Sequence, residues 1–227
     1  MKSLQRTARR AGILYLIMAA LMVFGYMYVP SHFVDFGDTA GTARRILEGA
    51  FLYRVTIAAS LLAQLMFVFV AVSLYELFEG VDRGLARIMV SLVCIGIAAE
   101  LVCVANRMAP LVVLDGKDYF AAFTQTQRES LALGLLRLGA NLSRLLTSIW
   151  GLWLLPFGVL TIRSGFLPKV LGYALIAAGV GYMGTCLGAI VFPDQLSWIS
   201  TILSPLYFGE VPIIFWLAIR GAKTKTP

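Results

Sequence analysis

Charge is what this sequence has least of. Only 14% of its 227 residues are Asp, Glu, Lys or Arg, where a soluble domain carries about 25%. Histidine is nearly absent: His32 stands alone. One imidazole cannot build a His-based zinc site or fill two haem axial positions. The three cysteines, Cys94, Cys103 and Cys186, form no C-x-x-C pair and read as small apolar core residues. No G-x-S-x-G, H-E-x-x-H or Walker pattern occurs. The expectation is a chain that needs no metal and no cofactor. Its net charge is +7, but the basic residues form no aromatic-interleaved tract, which argues against a nucleic-acid partner. No polar stretch is long enough for a soluble domain, so residues 1–227 read as a single transmembrane domain.

Long apolar runs fill the space that charge leaves. A spanning helix needs about 20 apolar residues, and six runs qualify. They are Ala11 to Val29 (stopped by Pro30), Ala50 to Phe78, Leu85 to Leu114 (Pro110 kinking its end), Leu131 to Ile162 (Pro156 inside), Val170 to Phe192, and Ile199 to Ile219 (Pro205 and Pro212 inside). Backbone polar groups in lipid must be satisfied within the chain, so these runs are helices. The first run is long, lacks an A-x-A site and ends in Tyr26-Met27-Tyr28, as a retained anchor does.

Basic residues orient the runs. If the N-terminus is cytoplasmic, that side holds Lys2, Arg6, Arg9, Arg10, Arg83, Arg87, Arg163, Lys169, Arg220, Lys223 and Lys225. The other side holds Arg44, Arg45, Lys117 and Arg128. The bias predicts an all-α, polytopic membrane helix bundle of six transmembrane helices, N-in and C-in. Asp38 is placed to cap a short surface helix through Arg44–Leu47, and Thr126-x-x-Glu129 is a capping-box pattern ahead of the fourth run. Asp35 and Asp38 could pair as acid and base, but the cap is the simpler role for Asp38. Gly184-x-x-x-Gly188 in the fifth run allows close helix approach, which we expect to serve packing inside one bundle.

Chemistry is sought where ionisable groups enter the apolar runs, because each must meet a partner or a cavity. These groups are Arg54, Glu100, Arg107, Arg137, Arg144 and Glu210. Glu100, Cys103 and Arg107 share one helix face, and Arg137, Asn141, Arg144 and Ser148 share another. In the N-in orientation they gather towards the outer half, with four Arg against two Glu. One reading is structural: each Glu holds an Arg, and terminal Arg side chains snorkel. Another is an outward-facing cavity in which Arg54, Glu100, Arg107, Arg137, Asn141, Arg144 and Glu210 receive an anionic amphiphile. A third is an intramembrane enzyme on a lipid-like substrate, with Glu100 or Glu210 as acid or base. A fourth is a non-catalytic accessory membrane subunit; membrane lipids are the expected partners on any of these readings.

Several stretches together resemble a known family. They are Arg10-Ala11-Gly12-Ile13-Leu14-Tyr15-Leu16, Gly37-Asp38-Thr39-Ala40 with Thr42, Tyr53-Arg54, Leu74-Tyr75, the run from Ser164 to Tyr173, Gly181-Tyr182, and Gly209-Glu210 with Trp216. Their order is similar to that in the DUF4386 family of mostly bacterial integral membrane proteins. The resemblance implies a multi-pass protein of a bacterial inner membrane. It implies no catalytic residues, although its stretches include Asp38, Arg54 and Glu210.

Overall fold

The computed structural model describes residues 2–28 and 30–222; Lys223 and Lys225 of the charge count lie outside the described residues. Among the described residues there is helix and no strand. Six stretches are long and apolar enough to cross a membrane: Leu4–Phe33, Ala50–Phe78, Arg83–Leu114, Gln125–Ser164, Lys169–Val191 and Pro193–Ile219. The elements are α1 (Lys2–Met22), α2 (Pro30–Phe33), α3 (Thr39–Glu48), α4 (Ala50–Phe78), α5 (Arg83–Asn106), α6 (Ala109–Leu114), α7 (Gln125–Ser164), α8 (Lys169–Val191), α9 (Leu196–Tyr207) and α10 (Val211–Ile219).

The second run has the bounds its apolar length predicts, and the fifth differs by one residue at each end. The first differs more. Its helix begins at Lys2 rather than Ala11, passes into a π-helical turn over Val23–Tyr28, and does not stop at Pro30. Pro30 instead opens α2, a position where a missing N–H costs nothing. Helix α7 also begins early. Its cap is Thr124: Gln127 N–H donates to Thr124 Oγ1 at 3.3 Å, and Thr124 N–H donates to Gln127 Oε1 at 2.8 Å. The capping box is therefore Thr124-x-x-Gln127, two residues before the expected Thr126-x-x-Glu129, because glutamine fills the glutamate's role. At 40 residues, α7 is about 60 Å long, twice the ~30 Å hydrocarbon thickness.

The chain forms two compact units. The first comprises residues 1–17, 65–98 and 144–227. Its core is an aromatic cluster, with Phe67 and Phe157 each 5.3 Å from Trp153, and Tyr15 6.3 Å from both Phe67 and Trp153. Glycine lets its helices close. A methyl group on Gly158 would come within 2.7 Å of the Gly172 carbonyl oxygen, and one on Gly151 within 2.6 Å of the Gly179 carbonyl. Both contacts are reciprocal, so α7 and α8 meet backbone to backbone at two points. The Gly184-x-x-x-Gly188 pair packs as expected within the bundle, against Leu203 and Ile199 of α9. Near the chain ends, Gly221 lies against Gln5 and Arg9, Arg10 pairs with Glu76, and Arg163 pairs with Asp82 at 3.1 Å. Both described ends of the chain thus sit together.

The second unit comprises residues 18–64 and 99–143. Its core is Phe33, Ile46, Tyr53, Ile57, Val104, Leu111 and Leu136. Asp38 caps α3 as its spacing predicts, its Oδ1 accepting from Gly41 N–H at 2.8 Å.

Candidate functional site

In the second unit the site is built where helices are irregular. Pro110 cannot donate to the Asn106 carbonyl, and its ring excludes regular helix before it. The break falls between α5 and α6, at Arg107 and Met108, upstream of the proline itself. The Leu111 N–H turns to the Met108 carbonyl at 3.1 Å instead of reaching Arg107. This frees the Arg107 carbonyl, which accepts from the Tyr53 hydroxyl at 3.0 Å. The second irregularity is the π-helical turn around Gly25 and Tyr26, a feature common at functional sites.

Between these breaks runs a ladder on α4: Tyr53, Thr56, Ser60 and Gln64, all buried and spaced to share one face. Thr56 Oγ1 donates to the Tyr53 carbonyl at 2.7 Å, and Ser60 Oγ to the Thr56 carbonyl at 2.9 Å. Each hydroxyl has then spent its proton and can only accept. Arg107 supplies the donors. Its Nη1 donates to Ser60 Oγ at 2.8 Å, and its Nη2 to the Gly25 carbonyl at 2.8 Å and Thr56 Oγ1 at 3.3 Å. The guanidinium also lies over the Tyr26 ring, 5.3 Å from its centroid. All these partners are neutral, and Arg107 forms no ion pair with a described carboxylate.

Arg107 faces a half-open cavity of ≈ 390 Å³. Tyr26, Tyr53, Cys103, Asn106 and Ser143 give it a polar lining, and Val34, Phe36 and Leu136 an apolar one. Glu100 is buried, seven residues before Arg107 on α5, and accepts from Ser143 Oγ at 3.3 Å. Asn106 is held by its Nδ2 donating to the Leu135 carbonyl at 2.8 Å.

The remaining sequence-selected residues lie elsewhere. Arg137 stands over Phe36, 4.8 Å from the ring centroid, beside the cavity. Arg54, Arg137, Asn141 and Arg144 are exposed on their helices. The face of α7 that lines the cavity is Leu136, Gly139, Ala140 and Ser143, one residue out of register with the predicted polar stripe. Arg144 and Glu210 belong to the first unit, where Glu210 accepts from the Tyr15 hydroxyl rather than holding an arginine. Asp38 pairs with Arg45 at 3.5 Å in addition to capping, and Asp35 Oδ1 accepts from Gly37 N–H at 2.8 Å, so both aspartates have structural work. Lys117 is bound by Asp115 at 2.8 Å, and that hydrogen bond pushes its pKa above the usual lysine value. Among the described residues no three His, Cys, Asp or Glu side chains come together as a metal set would.

Sequence reasoning passed over Tyr26, Tyr53, Thr56, Ser60 and Gln64 because none carries a charge. Their signal was present. In the first half of α4 a polar residue recurs at every third or fourth position, from Tyr53 to Gln64.

Neither the curated proteins nor the solved structures contain a match to this chain. A family described as a domain of unknown function, DUF4386, matches residues 10–221 of the 227. That span takes in every membrane-crossing stretch except the first few residues of α1, together with the cavity and Glu210. This chain, with its six apolar stretches long enough to cross a membrane among the described residues, therefore belongs to the DUF4386 family.

Proposed function

We propose that this chain is a multi-pass membrane protein that binds an anionic amphiphile by its head group at Arg107. One observation carries the reading: a half-buried guanidinium, held in place by neutral acceptors alone, faces a cavity with both polar and apolar walls. The surrounding bonds fix its orientation through neutral acceptors, and the buried Glu100 carboxylate lies within electrostatic reach without forming an ion pair with it. Such a group is suited to a carboxylate or phosphate. The apolar wall of Val34, Phe36 and Leu136 offers a place for the first part of a chain. We further propose the N-in, C-in orientation in a bacterial inner membrane, with the cavity towards the outer side. The positive-charge bias supports it.

The test is thermal stability of the purified chain with decanoate, decanol or inorganic phosphate. Decanoate should stabilise where decanol of the same length does not, and Arg107→Gln should abolish the difference. Stabilisation by phosphate alone would assign the site to a free anion. Equal effects of decanoate and decanol would refute charge recognition.

A further inference from the structure

Glu210 occupies a break in the sixth apolar stretch, in the first unit. Helix α9 ends at Tyr207, a 3-10 turn holds Phe208–Glu210, and α10 begins at Val211 with Pro212 next. Pro212 has no N–H for the Phe208 carbonyl, so the turn is not locked into regular helix. Glu210 Oε1 accepts from the Tyr15 hydroxyl.

No described cation pairs with Glu210. The elements packed around it explain why. The basic residues of α1 are Lys2, Arg6, Arg9 and Arg10, all before Tyr15, and Arg10 is held by Glu76. Helix α8 has only Lys169, at its first position, and α9 has none. Arg220 follows the end of α10, ten residues or about 15 Å along the helix from Glu210. The titratable groups that do face the site are phenols. Tyr15 donates to it, and Tyr182 of α8 lies within electrostatic reach. Tyr207 of α9 stacks on Tyr182 with ring centroids 4.2 Å apart, and its hydroxyl donates to Thr185 Oγ1 at 2.5 Å.

An ionised carboxylate among apolar groups and neutral phenols has only the Tyr15 hydroxyl to offset its lost hydration, whereas the acid form needs far less. We propose that Glu210 is a proton-binding site within the membrane-crossing segment. Tyr15 donates to Oε1, and Oε2 carries the proton. Loading takes a proton from water and forms one O–H bond; unloading returns that proton to water. This inference is independent of the Arg107 cavity.

Infrared spectroscopy of the full chain in lipid vesicles tests it. At neutral pH the wild type should show a protonated-carboxyl C=O band. Glu210→Gln should remove the band, and Glu100→Gln should leave it. Tyr15→Phe should move it to higher frequency by removing a hydrogen bond to the carbonyl oxygen. In the wild type, raising the pH should bleach the band. Absence of any such band at neutral pH would overturn the proposal. So would a band untouched by both Glu210→Gln and Tyr15→Phe, or a carboxylate band that shifts with sodium instead. If Glu210→Gln does not fold, the Tyr15→Phe shift and the wild-type bleaching decide the question.

Discussion

Replacing Gly158 with alanine puts a methyl group against a backbone atom that cannot rotate away. The added Cβ would lie 2.7 Å from the Gly172 carbonyl oxygen, where ordinary contact begins at 3.4 Å. Helices α7 and α8 must part by roughly 0.7 Å, a gap that forfeits a quarter to a half of each dispersion contact along the seam. Weak Cα–H···O contacts at such crossings, about 0.5–1 kcal/mol each, weaken with them. Alanine returns about 1 kcal/mol of helix propensity, while overpacking costs about 1–3 kcal/mol. The clash falls on backbone, so the cost prevails, and with the weakened Cα–H···O contact the expected net loss is about 0.5–3 kcal/mol.

Two comparisons sharpen this expectation. Gly172→Ala meets the same gap from the other side, so the double variant Gly158→Ala/Gly172→Ala should lose less than the sum of the singles. Gly134, also in α7, has nothing within 4 Å of an added methyl group, so Gly134→Ala should be neutral or stabilising by up to about 1 kcal/mol. Equilibrium unfolding in mixed micelles containing an anionic detergent reads the wild type and all four variants. Wild-type stability for Gly158→Ala, or strict additivity across the seam, would refute the reasoning.

Tyr53→Phe removes the donor to the Arg107 carbonyl and should cost about 1–2 kcal/mol in the same unfolding measurement. It leaves the guanidinium in place, so the preference for decanoate over decanol should persist, unlike in Arg107→Gln. A reporter fused to the C-terminus should read cytoplasmic; an extracytoplasmic signal would overturn the proposed orientation.

Much of the fold was legible because membrane crossing is a matter of length and composition. The run Ala50–Phe78 could be bounded from its residues alone, since lipid leaves an apolar segment no alternative to helix. The Asp38 cap was equally legible, being a bond between residues three apart. Local rules also located the breaks near Pro110 and Pro212. Their displacement to Arg107–Met108 and to the turn Phe208–Glu210 follows from proline acting on the carbonyl four residues before it.

Partner choice was not legible. Charge spacing suggested that Glu210 would hold an arginine, yet it meets Tyr15, 195 positions away. The polar stripe on α7 suggested that Arg137, Asn141 and Arg144 would face the cavity, yet Leu136, Gly139, Ala140 and Ser143 do. The reason is physical. Periodicity says which residues share a face, while the rotation of each helix is set by how its small residues let neighbours approach. The reciprocal contacts of Gly158 with Gly172 and of Gly151 with Gly179 depend on two helices at once, and no single segment encodes them. By itself the sequence determined how many stretches are long and apolar enough to cross a membrane, and that helices break near Pro110 and Pro212. Only tertiary packing decided that Arg107 would rest on neutral oxygens and that Glu210 would lie among phenols.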